Sequence, residues 1–453
     1  MSRHARILFC LLVALSSCIN SCAQIPANTS PLISSELLKK DYMIFRDSIE
    51  KLHAGLYRYR DKNDLDRLFD SSYALLDKSM HITEFYLLLR YLISNIQDGH
   101  TSCNLPADLG KHYLDSAKMF PIQLRFINDK AFLTCTTKQG IIPSATEIIS
   151  IDNKPALQVR DKLFSYLSSD GSNQTKKFWD LNNGAFVPMY YLVFGEKFSF
   201  TVQCKTPEGN LRSVKLNADY FKNIECGTTP IKNPKYLQLD FRANKIAILT
   251  IKTFAGTLLR DGNEYARFLE ASFKQIRNKG IDKLIIDLRD NGGGHDVYGS
   301  MLYSYLTDKP FEYYTSLEST TRKFTKEDHP NLSIQQPAKY NYGGKVFFLI
   351  NGNSFSTTAE FCAIAKSRER GIFVGEETGG GYYGNTSGAM SRVVLPNSRI
   401  VVSIPKTKYT MAVKEALHKD RGIIPDFRIV PGIRDIVRKR DVQLHYTLRL
   451  AGG

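Results

Sequence analysis

No Cys-x-x-Cys spacing occurs in the 453 residues, which excludes the usual zinc-binding and thioredoxin-like arrangements. There is no basic tail or dense basic cluster either, although Lys and Arg outnumber Asp and Glu by 61 to 45 and leave a formal net charge of +16. Without such a cluster or a nucleic-acid-binding motif, the excess reads as solubility beside an anionic surface or attraction to acidic partners. Internal repeats and low-complexity tracts are absent, so a solenoid is not expected. Beyond the N-terminal leader no apolar run is long enough to span a bilayer. Arg438 to Arg440 is a short basic stretch of the solvated kind.

What is present suits a multidomain globular protein. Apolar residues make up 43% and charged ones 23% of the chain. That balance excludes wholesale disorder, and the length predicts about three domains. Arg3, His4 and Arg6 precede the apolar run Ile7 to Leu15, the pattern of an export signal. Leu15-Ser16-Ser17-Cys18 resembles a lipobox, which would make Cys18 a lipidated first residue, and Ser21-Cys22-Ala23 is the competing ordinary cleavage site. The expectation is an exported protein of the periplasm or cell envelope, touching membrane only through that anchor. Of eight cysteines, Cys10, Cys18 and Cys22 fall in the leader. Cys204 and Cys226 are expected as a bridge or as two buried thiols.

Three stretches with helical spacing follow a polar linker: Leu37 to Leu52, Leu65 to Leu76 and Ile82 to Ile96. Asp98-Gly99-His100 then breaks the chain. From Phe120 to about Asn223 short alternating runs predict strands, including Phe120 to Phe126, Lys130 to Cys135, Glu147 to Asp152 and Phe198 to Cys204. The segment TEIISIDNKPA is similar to the signature of PDZ domains, which bind peptides by strand addition, with Ala145-Thr146 in place of the usual glycine. From Tyr236 strands and helices alternate, which predicts an α/β domain with a largely parallel sheet and a crevice at the strand ends. The expected division is 1–23 signal, 24–112 helical domain, 113–230 PDZ-like β domain and 231–453 α/β domain with a C-terminal tail.

Two strand ends carry the chemistry. LIIDLRDNGGG, Leu284 to Gly294, reads as a buried strand feeding a triple-glycine turn whose amides suit an oxyanion. The strand Lys345 to Ile350 leads through Asn351-Gly352-Asn353 into Ser354-Phe355-Ser356-Thr357 at the start of a helix. A hydroxyl there suits nucleophilic attack, while the plainer role is helix capping. A serine needs a base. His100 is the first candidate and His295, just after the glycines, the spare one.

Taken together these stretches resemble the C-terminal processing (tail-specific) and tricorn-core-like serine peptidases. The motifs are QDGHTS, TEIISIDNKP, KLIIDLRDNGGG, LINGNSFSTTAEF, VGEETGGG and RGIIPD, in that order. The resemblance implies a ClpP/crotonase-like α/β catalytic core, serine-type peptide hydrolysis, no metal or cofactor, and a peptide or protein substrate such as an unstructured C-terminus. Its serine register, three residues before the helix glutamate, falls on Thr357; Ser356, one place earlier, is taken as the nucleophile because a primary hydroxyl is less hindered, with Thr357 or Ser354 as alternatives, and His100 matches the family's base. Asp420 or Glu360 would orient the base, and amides of Gly292, Gly293 and Thr357 would form the oxyanion hole. The lysine of the processing branch's Ser-Lys dyad is replaced by glycine in Gly375 to Gly381, which disfavours that mechanism. The rival reading is an inactive protein on the same fold that captures a peptide or apolar ligand.

Overall fold

Apolar residues at helical spacing form the three expected helices in the computed structural model, which describes residues 30–227 and 234–452. The export signal and Cys18 lie outside the described residues. Helix α1 (Ser35–Leu52) buries Leu38, Tyr42, Phe45 and Ile49, and α2 (Lys62–Ala74) buries Leu65 and Phe69. Helix α3 (Ile82–Ile96) buries Phe85, Leu89, Leu92 and Ile93 and ends where Gln97 takes a left-handed φ of 63°. The chain leaves that end through Asp98-Gly99-His100 into a short strand, β1 (Ser102–Asn104).

The middle segment forms an antiparallel sheet from β2 (Arg125–Ile127), β3 (Lys130–Phe132), β4 (Glu147–Ile151), β5 (Ser199–Lys205) and β6 (Leu211–Asn217), in the spatial order β6-β5-β4-β3-β2. Ala145, which replaces the glycine before β4, has a φ of 62°, so an alanine adopts the left-handed backbone that glycine favours there. Beyond α4 (Ala107–Ser116), helices α5 (Ala156–Phe164), α6 (Thr175–Asp180) and α7 (Phe186–Phe194) depart from the alternating-strand reading of this region. The reason is packing: Phe186, Val187 and Tyr190 recur at helical spacing and bury against the same core as Phe120, Phe126 and Phe200.

The expected bridge is corrected. Cys226 pairs with Cys135, 91 residues away, while Cys204 is a buried free thiol, as are Cys103 and Cys362. Cys204 points into the core from β5, whereas Cys135 and Cys226 lie between regular elements with Cα atoms 5.3 Å apart.

The α/β segment builds a six-stranded sheet from β7 (Leu237–Arg242), β8 (Ile246–Ile251), β9 (Lys283–Asp287), β11 (Lys345–Ile350), β12 (Ile372–Gly375) and β15 (Phe427–Arg428), in that order. Only β7 with β8 is antiparallel; the other four pairs are parallel. Strand β9 is central and buried on both faces, with Leu284 and Ile286 in one core and Ile285 in the other. Each such side chain contributes about 1.5–3 kcal/mol of burial. Helices α8 (Glu264–Asn278), α9 (Asp296–Ser304) and α10 (Thr357–Ser367) cover the first face. Helix α11 (Val442–Leu450) covers the second.

A second sheet joins the helical segment to this core. Strand β14 (Val401–Met411), longer than the expected Ser398 to Ile404, pairs with β10 (Tyr314–Glu318), β13 (Thr386–Val394) and β1. The register Val401 to Asn104 and Ser403 to Ser102 fixes the chain two residues after His100 against the α/β part. Leu395, Ile400, Val402 and Ile404 enter the core of α1 and α3, which reinforces the joint. Among the described residues no helix is long and apolar enough to cross a membrane.

Candidate active site

The two strand-end loops are laced together. The Ser354 hydroxyl donates to Leu288 O at 3.0 Å, and Phe355 N–H donates to Asn291 O at 3.1 Å. Asn351 and Asn353 also bond to Asp290, which holds a left-handed φ of 64°. Beneath the turn, burial alone would raise the Asp287 carboxyl, but Arg289 grips both its oxygens at 2.9 and 2.8 Å and holds it below its usual value. Gly293 has a φ of 95°, and a Cβ there would stand 2.7 Å from Ser356 Cβ and 3.0 Å from Thr357 N. Only glycine lets the turn sit this close to the serine.

Of the three candidate hydroxyls, two are committed. Ser354 is fully buried and bonded to Leu288, and the Thr357 hydroxyl donates to Gly294 O at 3.0 Å. Ser356 is the N-cap residue of α10, yet its side chain makes no capping bond. Its backbone sits at φ 55° and ψ −128°, a strained conformation for a residue with a Cβ. A sharp strained turn between strand and helix is the geometry that lifts a nucleophilic serine clear of its own backbone.

Ser356, His100, Gly292, Thr357, Glu360 and the spare candidate His295 line one cavity of about 430 Å³. The His100 ring stacks on Phe355, the neighbour of Ser356, with centroids 4.5 Å apart and planes 26° from parallel. Both its nitrogens are buried without a hydrogen-bond partner. Burial pushes its pKa down to about 4, with Lys176, His53 and Arg58 also lowering it against the opposing pull of Asp98. At neutral pH the imidazole is therefore uncharged, as a base must be.

The expected orienting acids do not fill that role here. Asp420 is exposed, and its carboxyl is held below its usual value chiefly by the Ser172 hydroxyl. Glu360 accepts from Tyr314 Oη at 2.6 Å and from Asn385 Nδ2 at 2.7 Å, and burial raises its carboxyl to about 7. Neither forms a hydrogen bond or ion pair with His100 among the described residues. The carboxylates that approach the ring are Asp98, whose Oδ1 is 4.0 Å from His100 Nδ1, and Asp170. Asp98 stands two places before His100 in QDGHTS, which was the available signal. Asp170 lies 70 residues on, in a similar Asp-Gly turn, and no motif points to it.

The oxyanion donors are also narrowed. Gly293 N–H donates to Asn291 Oδ1 at 2.9 Å and is thereby committed, whereas Gly292 lies on the exposed rim of the same cavity. At Gly381, in the run that replaces the Ser-Lys dyad's lysine, a Cβ would meet Tyr59 Oη at 2.4 Å, so a side chain there requires the Tyr59 ring to shift.

Residues 245–429 match the family description Peptidase family S41. The chain is 28% identical over 136 residues to the tail-specific protease of Haemophilus influenzae, across 30% of this chain and 17% of that protein's length. Among solved structures, mature CPAF is similar with a TM-score of 0.64 at 15% identity, covering 92% of this chain and 96% of the other. Its complex with lactacystin gives 0.65 at 15% identity, covering 92% and 97%. At that identity the likeness shows a shared mixed α/β fold.

Proposed function

The chain carries a serine-type peptidase domain of family S41 over residues 245–429, and from that premise we propose that it hydrolyses peptide bonds through an acyl-enzyme on Ser356. His100 takes the proton from the Ser356 hydroxyl as Oγ attacks the peptide carbonyl, then returns it to the departing amine. The Gly292 and Thr357 amides hold the tetrahedral oxygen, and water releases the acyl group in a second, equivalent passage. The supporting observation is the uncommitted hydroxyl of Ser356, at φ 55° and ψ −128°, in one cavity with His100 and Gly292.

The six-stranded sheet with its helices is read as the ClpP/crotonase-like core, and 113–230 as the PDZ-like domain. Strand addition at its edge strand β2 requires displacing Asn182, whose carboxamide now accepts from Phe126 N–H at 2.7 Å and donates to Phe126 O at 2.9 Å. Export is supported by the leader and by the Cys135 to Cys226 bridge, which suits an oxidising compartment.

The test is hydrolysis of an unstructured fluorogenic peptide by purified protein. The reading requires turnover that disappears in Ser356→Ala and His100→Ala. Peptide binding without cleavage by the unmutated protein would instead establish the non-catalytic rival.

A further inference from the structure

The groups that surround the imidazole come from three separate parts of the chain. Polar atoms of Asp98, His100 and Asp170 all lie within 4.8 Å of one another. Asp170 is only 2% exposed. Its Oδ1 accepts from Gly99 N–H at 2.8 Å, beside His100, and its Oδ2 accepts from Gly381 N–H at 3.1 Å. The glycine run that it holds backs onto the nucleophile, since a Cβ at Gly380 would stand 3.2 Å from Ser356 N. A Cβ at Gly99 would meet the Phe355 ring at 2.8 Å and Asp170 Oδ1 at 3.2 Å, so the two loops meet across this carboxyl without slack. One side chain, from the segment between α5 and α6, thus ties the base loop to the serine loop.

Several elements bring charged or titratable groups to this carboxyl, among them the segment of Asp420, whose carbonyl accepts from Ser172 N–H at 2.9 Å. Asp98 lies beside it on the base loop, and Arg58 and Tyr59 approach from the segment after α1. Lys176 of α6 faces His100, and His53 backs Asp98. His53 Nδ1 accepts from Gly55 N–H at 3.1 Å, so its proton sits on Nε2, 2.8 Å from both Asp98 Oδ2 and Thr101 Oγ1. Although burial opposes it, that contact with His53 keeps Asp98 ionised, below its usual value. Asp170 makes no such contact with His53: burial first, then the charge on Asp98, raises it to about 7 against the lowering by its bonds to the Gly99 and Gly381 N–H groups and by Arg58. Of two buried carboxyls this close only one is charged in mildly acidic solution, and the second charge, on Asp170, forms as pH rises through about 7.

We propose that Asp170 is a positioning residue for His100: as a carboxylate it favours the tautomer with the proton on Nδ1, leaving Nε2 free for the Ser356 hydroxyl. This rests on the reading of Ser356 and His100 as the reacting pair. During attack the proton passes from Ser356 Oγ to His100 Nε2, the Nδ1 proton stays in place, and Asp170 takes none. Its negative charge stabilises the imidazolium that forms. When protonated, Asp170 no longer favours that tautomer, so activity falls on the acid side although His100 itself is still neutral.

The experiment combines two readouts. In Ser356→Ala protein labelled with ¹⁵N-histidine, the His100 ring should pass from mixed tautomers to predominantly Nδ1–H with a midpoint near pH 7, and Asp170→Asn should remove that transition. In active protein, kcat should fall roughly 10²-fold or more in Asp170→Asn with KM little changed. The acid limb of kcat near pH 7 should disappear with it. A His100 tautomer that ignores pH between 6 and 8 in the Ser356→Ala background overturns the proposal without any Asp170 variant. So does an Asp170→Asn enzyme that keeps the acid limb. A tautomer transition that depends on Asp170 in a protein with no peptidase activity would sink the functional reading and leave the positioning role standing.

Discussion

The proposed nucleophile and the proposed base are held in opposite ways. Ser356 stands on a loop bonded to its neighbour strand at Leu288, Asp290 and Asn291, and its strained backbone is imposed by that lacing. His100 lies just past the end of a helix, with both ring nitrogens unpaired; its ring stacks on Phe355, its own N–H donates to Asp98, and the N–H of its neighbour Gly99 donates to Asp170. A serine fixed by its backbone, in one cavity with an imidazole whose nitrogens are unbonded, can gain hydrogen bonds when a carbonyl arrives, as unliganded catalytic pairs often do.

If the two sides work as one unit, Ser356→Ala and His100→Ala should each lower kcat on the order of 10⁶-fold, and the double variant no further. Multiplying losses, measured as single-turnover rates, would break the comparison. Gly293→Ala tests the rigid side alone. A methyl 2.7 Å from Ser356 Cβ at a φ of 95° must push the turn away from the serine. Loss of its aligned amides is expected to lower kcat by about 10²–10³-fold. Near-normal kcat would mean that the turn does not serve the oxyanion.

The buried carboxyls set a pH dependence of stability. Folded Glu360 keeps its proton up to about 7, against 4.5 for an unperturbed glutamate, so the folded state binds more protons between those values. Its contribution is therefore fully present below pH 4.5 and lost as pH rises through 7. Glu360→Gln should flatten that part of the slope in urea melts at pH 5, 6, 7 and 8, and an unchanged slope would locate the effect elsewhere. Smallest of all, Ser354→Ala should cost about 1 kcal/mol of stability for its buried bond and keep peptide hydrolysis. Loss of all turnover in a folded Ser354→Ala protein would move the nucleophile to Ser354.

The same contrast explains what was legible in the sequence. The α/β alternation, the glycine turn and the serine at a helix start are local patterns, because strand burial, tight turns and helix ends each write their rule within about ten residues. Helices α5 to α7 were obscured because aromatic residues such as Phe186 and Tyr190 suit strands by propensity and helices by spacing, and packing decided. The Cys135 to Cys226 bridge and the approach of Asp170 to His100 join residues 91 and 70 positions apart. Neither leaves a local trace, so a single sequence carries no period or spacing from which to read them. Asp420 was singled out by its nearness to RGIIPD, but its side chain turns to Ser172 and solvent.

The most direct measurement is the site and rate of phosphonylation by a fluorophosphonate probe, mapped by mass spectrometry in the unmutated protein and in His100→Ala. The expected result is a single adduct on Ser356 that forms at least ~10²-fold more slowly once the imidazole is gone. An adduct on another residue, or one on Ser356 that forms equally fast without His100, would contradict it.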